Sequence, residues 1–581
     1  MSAPRPALPA APRGGMSKVA EPHLLMSAAL TRPWSVAAWM PRPLSIMLVL
    51  ALGLGGAARA QTAAEAIPSL AALEAEGATI GTIRIVNRDI FDTSDPREDK
   101  LLFRWANALH IRTRVSVIEG ALLFKSGDPL SVRLIDETER LLRSTRYLYD
   151  VRLRPVAYRD GVADIEVETR DSWTLDPSFS VGRAGGVNSG RVSLTEHNLL
   201  GSGISLSFGR STNVDRSSNE FRISNERAFG GWTALGYSRA HNSDGRREAA
   251  SITQPFHALD ARWSAGISLV KDDRIDSRYV AGVVASQYRH RQKQGELFGG
   301  LSHGRVNGWV QRASLGISVQ DDAYAIEPGL IAPAQLPSDE KWVAPFLRYQ
   351  VIEDRFEKLQ NRNQIERPEF FALGLAMTLQ LGRAFSALGS TSNAWLYSAT
   401  LSRGFEPGPG QMLLASASLT GQAVHGRVRR QRLGLQTQYY LPHKPGWLFY
   451  AAATFDALNN PGPADELLLG GDNGLRGYPL RYQSGSRRAL FTLEERAYSD
   501  LYLWRLLRVG GAVFVDSGRA WGGGHANTVN PGWLSDAGFG LRLFSVRSAF
   551  NNVLHIDVAF PLVGAAGTKK VQFLVKTKAS F

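Results

Sequence analysis

Residues 371–381, FALGLAMTLQL, alternate between large apolar side chains and small or polar ones at every second position. The same alternation occurs in three further segments, 204–208 (ISLSF), 263–269 (WSAGISL) and 554–560 (LHIDVAF). A period of two places the apolar set on one face of a β-strand and the other set on the opposite face. No long apolar helical pattern interrupts these segments after Asp171. We therefore predict β-structure from residue 172 to the last residue.

This β-region is long for a soluble β-domain. Strands of ~10 residues with their turns give roughly 16 to 20 strands, and no propeller blade motif repeats along the region. Lipid offers no hydrogen bonds to an open sheet edge, so strands that cross a membrane must close on themselves. We predict an all-β transmembrane barrel of antiparallel strands over residues 172–581. Its last segment, with Phe573, Val575 and the terminal Phe581, resembles the C-terminal signal of bacterial outer-membrane proteins.

The N-terminus has the pattern of an export signal. Arg42 precedes the apolar run 44–54 (LSIMLVLALGL), and Ala58 and Ala60 form a small-residue cleavage site. The run is shorter than the ~20 residues of a spanning helix, although a membrane anchor remains the alternative. We predict a leader over residues 1–60 and a linker over 61–79.

Composition excludes several classes of protein. The 581 residues include no cysteine, which excludes disulfide-stapled folds, thiolate zinc sites and cysteine nucleophiles. The net charge is +14, but the basic residues are scattered and form no run with interleaved aromatics, so we predict no nucleic-acid partner. A mean hydropathy of −0.16 is too polar for a bundle of membrane helices.

Residues 80–171 predict a small mixed domain in the order β-α-α-β-β. Its predicted elements are a strand at 80–86, an irregular insertion at 93–113, a helix at 115–124 ended by Gly127 and Pro129, a helix at 131–143 with Ser131 as N-cap, and two strands, 148–157 and 162–169, around the turn Asp160-Gly161.

This order, the Gly-Asp-Pro at 127–129 and the strand entry 147–153 (YLYDVRL) resemble a POTRA domain. The resemblance implies a periplasmic module that binds an extended client polypeptide at an exposed sheet edge. A small α+β spacer without a client is the alternative.

A long segment, 457–485, separates the strand patterns 447–456 and 487–498 and contains LLLGGDNGLRGYP at 467–479. A loop of this length needs anchoring, because ordering it costs conformational entropy. Arg476 offers five donors in a rigid fork that suits a carboxylate on the barrel wall. Gly474 and Gly477 permit close backbone approach or positive φ beside Leu475 and Arg476, and Tyr478 and Pro479 stiffen the tip.

The Leu-Arg-Gly-Tyr motif at 475–478 and NLLGSG at 198–203 resemble the BamA/TpsB outer-membrane assembly and secretion superfamily. The resemblance implies a barrel of sixteen strands, with the 457–485 loop folded into its lumen. It also implies that Asp516, in FVDSG at 514–518, meets Arg476, and that Glu494 lies on the strand between them. A folding clamp without a part in transport is the alternative role for this pair.

No enzyme is predicted. GLSHG at 300–304 fits the G-x-S-x-G pattern of hydrolases but lacks its strand–turn–helix context. His555 and Asp557 share a predicted lumen face without a nucleophile, and no HExxH or Walker A motif occurs. We therefore predict no catalytic residues, no metal and no cofactor.

The predicted function is to insert proteins into the bacterial outer membrane or to translocate them across it. The predicted partners are outer-membrane lipid, lipopolysaccharide and an extended client, with the N-terminal domain in the periplasm. The alternative is a pore-forming or structural barrel without a protein client.

Overall fold

The computed structural model describes residues 67–578 except 281, 366–367, 463–464, 504–506, 523–531, 546–552 and 565–566. The predicted leader with Ala58 and Ala60, and the terminal Phe581, lie outside the described residues. Within the described part of the chain, no helix has the length and apolar character needed to cross a membrane.

The N-terminal domain is a three-stranded sheet packed against helices. Its helices are α1 (Leu70–Ala75), α2 (Leu101–Leu109), α3 (Val115–Glu119) and α4 (Val132–Ser144), and its strands are β1 (Thr79–Arg88), β2 (Leu148–Arg159) and β3 (Val162–Asp171). The sheet order is β1-β3-β2, with β1 parallel and β2 antiparallel to β3. Apolar residues of α1, α3 and α4, among them Leu73, Ile118, Ile135 and Leu142, pack against sheet residues such as Ile165 of β3.

Three local predictions in this domain are corrected. The predicted linker contains α1, whose Leu73 is fully buried in the domain core. The predicted irregular insertion contains α2. The predicted 115–124 helix ends at Glu119, because Gly120 caps it.

The predicted cap of α4 is also different. Ser131 occupies the N-cap position but makes no side-chain capping bond. The amide of Val132 donates instead to Glu74 Oε1 of α1 at 3.2 Å. The carboxylate of a neighbouring helix therefore satisfies a donor that the serine leaves free.

The rest of the described chain forms a closed barrel of twenty strands, which confirms the predicted fold class and the upper end of the count from the alternation pattern. The sixteen strands that the resemblance implies are four too few. The barrel strands are β4 (Leu175–Ala184), β5 (Val187–Glu196), β6 (Ile204–Thr212), β7 (Ser217–Ala228), β8 (Thr233–Asn242), β9 (Gly245–Gln254), β10 (Trp263–Val280), β11 (Val283–Val306), β12 (Trp309–Ala325), β13 (Glu340–Glu353), β16 (Ala376–Ala384), β17 (Ala394–Phe405), β18 (Met412–Val424), β19 (Arg427–Lys444), β20 (Trp447–Asn459), β23 (Arg487–Leu503), β24 (Leu507–Trp521), β25 (Leu534–Ser545), β26 (Val553–Pro561) and β27 (Gln572–Lys578). Two short hairpins, β14 (Phe356–Gln360) with β15 (Pro368–Ala372) and β21 (Leu467–Leu469) with β22 (Gln483–Gly485), lie outside the barrel wall.

The two faces of the barrel wall differ as a membrane barrel requires. Large apolar residues such as Phe208, Leu269 and Leu301 are exposed on the outside, and charged residues such as Arg274 and Asp322 are buried inside. This apolar belt is the lipid-facing surface of an outer-membrane barrel. We call the end that carries the N-terminal domain the periplasmic end.

The segment 371–381 is not one strand, and this corrects the clearest prediction from the sequence. Phe371 and Leu373 are buried inside the barrel, whereas Leu379 and Leu381 of β16 face outward. The chain passes from the lumen into the wall at Gly374, where an added Cβ would lie 2.1 Å from the carbonyl oxygen of Glu353. This close backbone approach turns the chain from the lumen into the wall.

Residues 354–375 form the lumen hairpin, in which β14 pairs with β15 at the periplasmic end between β13 and β16. Its buried apolar residues are Ile365, Phe371 and Leu373. They pack against buried residues of the wall strands, including Met412, Tyr440, Leu448, Tyr450 and Phe544. The start of segment 371–381, which its alternating pattern predicts to be a wall strand, is therefore packed inside the periplasmic mouth of the barrel.

The N-terminal domain contacts the periplasmic rim through α4 and the segment that follows α2. Glu137 Oε1 accepts a hydrogen bond from the Leu259 amide at 2.9 Å, and Arg133 pairs with Asp260. Both rim residues lie in the turn between β9 and β10. The domain is thus attached to the barrel by charged contacts as well as by the chain itself.

Candidate functional site: a lumen loop across the barrel seam

The barrel closes at a seam between its first strand, β4, and its last, β27. Among the described residues, one pair of residues is in register across this seam, Val575 of β27 opposite Arg183 of β4. By contrast, β4 and β5 stay in register from Leu175 opposite Glu196 to Ala184 opposite Val187. Within the described part of the wall, this seam therefore has the fewest residue pairs in register.

The lumen loop, residues 460–486, connects β20 to β23, close to the predicted 457–485. It folds inward and carries the hairpin of β21 and β22. Leu475 and Tyr478 are fully buried and pack against Leu469, Ala520 and Leu534. The loop is therefore an ordered, packed part of the barrel interior.

Arg476 is the first anchor of the loop, and the structure brings it together with both predicted carboxylates. Its Nε and Nη2 donate to the two oxygens of Asp516 at 2.6 and 3.0 Å, and Nη1 lies 2.9 Å from Glu494 Oε1. The guanidinium also lies over the ring of Phe514, 3.4 Å from its centroid. A bidentate pair buried in this way fixes both the position and the orientation of the loop.

The other predicted motif residues have distinct contacts. Gly474 has φ of +139°, while Gly477 permits close approach, since an added Cβ would lie 2.6 Å from Cβ of Asp536. The Tyr478 hydroxyl lies 2.9 and 3.0 Å from the carbonyl oxygens of Ser535 and Val563. The carbonyl of Pro479 accepts from the amide of Gly471 at 3.0 Å.

A second anchor, Arg481, was missed from the sequence. Its Nη2 lies 2.6 Å from both oxygens of Asp215, in the turn between β6 and β7. Its guanidinium stacks over Tyr279 of β10 at 4.3 Å. Arg481 is fully buried. A second arginine in the same loop could have indicated this anchor from the sequence. Its partner could not be identified in that way, because Asp215 lies 266 residues away.

The loop also touches β27 on one side of the seam and the turn after β4 on the other. Lys576 of β27 donates from Nζ to the carbonyl of Gly471 at 2.7 Å. On the other side, Gly185 in the turn after β4 packs against Pro479 and Leu480, and an added Cβ would lie 2.1 Å from the Leu480 amide nitrogen. With Arg476 held by β23 and β24 and Arg481 held beside β6 and β10, the loop bridges the seam.

The first anchor is connected to the lumen hairpin at the other end of the barrel. Glu494 accepts from Arg496 Nε at 2.9 Å. Arg496 Nη1 and the Tyr498 hydroxyl then donate to the carbonyl of Arg362, in the hairpin, each at 3.0 Å. One polar chain therefore runs from the lumen loop through β23 to the lumen hairpin.

The remaining predicted residues lie elsewhere. Phe573 is exposed to lipid on β27, and Val575 stands at the seam. Asp557 pairs with Arg542 at 2.5 Å, so that it belongs to the lumen network around Arg476. Ser302 lies within β11 and donates to the carbonyl of Gln311 at 2.8 Å. Among the residues described, no cluster of side chains has the composition of a metal site.

No family model and no curated protein matches this chain. Among solved structures, it is similar to BamA from Haemophilus ducreyi lacking POTRA domains 1–3, with 15% identity over 86% of this chain and 84% of that chain and a TM-score of 0.42. It is also similar to CdiB from Acinetobacter baumannii, with 14% identity, coverage of 86% and 73% and a TM-score of 0.43. For CdiB from Escherichia coli, the identity is 12%, the coverage 86% and 76% and the TM-score 0.45.

Proposed function

We propose that this chain is a BamA/TpsB-type outer-membrane protein that inserts proteins into the outer membrane or translocates them across it. The observation that carries the proposal is the loop across the seam. A backbone hydrogen bond contributes about 1 kcal/mol, and among the described residues the seam has one pair in register, so few such bonds hold that part of it. Removing one partner of a buried ion pair costs about 3–5 kcal/mol, which makes the anchored loop the stronger closure.

The proposed mechanism is a conformational gate. While Arg476 and Arg481 are bound, the lumen loop keeps the seam strands together and fills the lumen. Release of the loop frees the edges of β4 and β27 toward lipid and opens a path through the lumen. A strand edge exposed in this way can pair with an incoming client strand.

The proposed site of client capture is the N-terminal domain. In the sheet order β1-β3-β2, the strand β2 lies at an edge, and extended peptides bind such edges by main-chain hydrogen bonds. This edge belongs to a domain that is tied to the periplasmic rim through Glu137 and Arg133. A client bound there is held next to the barrel mouth.

The test is quantitative proteomics of outer membrane and culture medium in a deletion strain complemented with wild type, Arg476→Ala or Arg432→Ala. Arg432 is a matched control because its side chain is half-exposed and its partner Asp456 keeps a second cation, Arg488, when Arg432 is removed. We expect Arg476→Ala, but not Arg432→Ala, to leave the client proteins depleted. Loss of a few proteins identifies a dedicated factor, and broad loss a general insertase. If deletion changes neither fraction while the wild-type barrel is correctly folded in the membrane, the proposal fails and a pore without a client is left.

A further inference from the structure

Helix α2 exposes an apolar face that no part of the described chain covers. Leu101, Leu102, Trp105 and Leu109 are 64, 73, 63 and 72% exposed. At 100° per residue these four positions fall within about one third of the helix circumference. An apolar stripe of this width is buried in most proteins, so its exposure needs an explanation.

The rotation of α2 about its axis is fixed by contacts on the opposite face. Phe103 stacks on Phe91 with ring centroids 4.0 Å apart. The side chain of Asn107 bonds to the amide and the carbonyl of Phe91 at 3.1 and 2.8 Å. The apolar stripe is therefore held outward and does not turn into the domain.

The position of α2 along the barrel axis is fixed by hydrogen bonds from the segment at its C-terminal end to residues at or near the barrel rim. His110 Nε2 lies 2.7 Å from Asp171 Oδ2, four residues before β4 begins at Leu175. Thr113 Oγ1 accepts from Asn198 Nδ2 at 2.7 Å, and the Arg114 amide donates to the carbonyl of Gly201 at 2.9 Å. Asn198 and Gly201 lie in the periplasmic turn between β5 and β6, so α2 stands at the rim.

The lipid belt of the barrel reaches this same rim. The exposed apolar residues of β4, β5 and the turn after β5 include Leu175, Phe179, Leu194 and Leu200. Leu200 is connected directly to the α2 segment, since its carbonyl accepts from Arg114 Nε at 3.2 Å. The segment that carries the apolar face of α2 is thus bonded to the rim where the exposed apolar belt ends.

The charges beside the stripe match a phospholipid interface. Lys100 and Arg104 are exposed on α2, and Arg104 follows Leu101 by less than one turn. Helices that lie in a membrane interface combine basic residues at the polar border with Trp and Leu on the buried face. The acidic residues before the helix are paired with arginines: Asp95 with Arg97, Glu98 with Arg170, and Asp99 with Arg104 itself, in a solvent-exposed pair at 3.4 Å that a lipid phosphate can replace.

We propose that α2 lies in the inner leaflet of the outer membrane as an interfacial helix. Leu101, Leu102, Trp105 and Leu109 enter the acyl region, and Lys100 and Arg104 contact lipid phosphates. The helix tethers the N-terminal domain to the bilayer beside β4 and β5. This inference does not depend on the proposed client function, because it concerns the folded chain and phospholipid alone.

The test uses the absence of cysteine in the chain. Leu102→Cys in the full chain is labelled with nitrobenzoxadiazole and reconstituted in vesicles of phosphatidylethanolamine and phosphatidylglycerol. The matched control is Asp160→Cys in the turn between β2 and β3, which β3 separates from the rim by roughly 30 Å. We expect blue-shifted emission at residue 102 that is quenched by lipids spin-labelled near the glycerol, and water-like, unquenched emission at residue 160.

An unquenched label at residue 102 in a correctly folded barrel overturns the proposal. Protection of that cysteine from a water-soluble maleimide in cells, combined with no quenching in vesicles, assigns the stripe to a protein partner and also overturns it. Trp105→Glu is the second variant, and we expect it to reduce quenching at residue 102 at least twofold. Since residues 102 and 105 are exposed in the structure, neither change removes packing within the protein.

Discussion

Arg476 is the residue on which the docked state of the lumen loop depends most. It reaches two carboxylates and an aromatic ring from one buried position. In Arg476→Ala, Asp516 and Glu494 lose their shared cation, which costs about 3–5 kcal/mol for a buried pair. We expect the loop to open and trypsin to cleave after Arg481 at least tenfold faster, because cleavage follows the open population. The measurement is mass-spectrometric detection of the new N-terminus at Tyr482.

The matched control for this change is Arg432→Ala. Arg432 also lies in the lumen, but its pair with Asp456 has a separation of 3.4 Å and is partly exposed, so its loss costs at most about 1 kcal/mol. We expect cleavage after Arg481 to stay within twofold of wild type. Equal acceleration by both variants would show that Arg476 has no special role in docking.

The neighbouring glycines Gly185 and Gly186 offer a second test of loop docking. Both have positive φ, at +53° and +84°, so an alanine is strained at either position. An added Cβ at Gly185 would meet Leu480 at 2.1 Å, whereas at Gly186 nothing lies within 4 Å. We expect Gly185→Ala to expose the Arg481 cleavage site and Gly186→Ala to leave it protected. Similar cleavage in the two variants would contradict the contact between the loop and the turn after β4.

At the scale of elements, the lumen hairpin is predicted to close the periplasmic mouth. Its ends meet, since Leu373 donates to the Arg355 carbonyl at 2.9 Å, so a short Gly-Ser linker can replace residues 356–372 without moving β13 or β16. We expect a folded barrel whose single-channel conductance in planar bilayers rises several-fold. The control is a linker in place of residues 328–336, at the other end of β13, which we expect to leave conductance unchanged. Unchanged conductance in both variants would contradict a plug.

Helix α4 of the N-terminal domain is predicted to be more stable at lower pH. Burial raises the pKa of Glu137 and of Glu139 above their usual value, against the opposing effect of Arg133 and Arg143. The folded state therefore holds protons that the unfolded state releases near pH ~4.3, and these groups favour folding less as pH rises through the raised pKa. We expect hydrogen exchange of residues 132–144 in the full chain to give a larger opening free energy at pH 5 than at pH 7.5.

The variant Glu137→Gln separates this effect from a general response to pH. Glutamine keeps an acceptor for the Leu259 amide and removes the buried charge. We expect the difference in opening free energy between the two pH values to shrink. An opening free energy that increases with pH in the wild type would reverse the predicted sign.

At the scale of the whole molecule, the seam is predicted to open during function. Arg183 and Val575 stand opposite each other across it, at a separation that suits a disulfide in an antiparallel pair. We expect Arg183→Cys/Val575→Cys to lose client assembly or secretion when oxidised and to recover it on reduction. Arg183→Cys/Asn188→Cys, a pair within the β4–β5 hairpin, is the control and should be active in both states. Full activity of the oxidised seam variant would exclude lateral opening.

Much of the fold could be predicted from local pattern. The alternation at 263–269 and 554–560 lies in β10 and β26, with large residues outward, because each side chain partitions between lipid and lumen according to its own polarity. The pairing of Arg476 with Asp516 was predicted from the resemblance of the loop motif and of FVDSG to the BamA/TpsB superfamily, and not from local pattern. The buried position of Leu73 in the domain core could not be predicted, because it depends on packing between α1 and residues far along the chain.

Local sequence pattern is enough to predict a period-two chain, a small mixed domain before it and an arginine-containing loop between two of its strands. These features are local, since they follow from the polarity and conformational preference of neighbouring residues. The packing of Phe371 and Leu373 inside the barrel and the contact of Arg481 with Asp215 became known from the three-dimensional fold. Closing the barrel brings together strands that are far apart in the chain, and a local pattern contains no information about which distant residues then become neighbours.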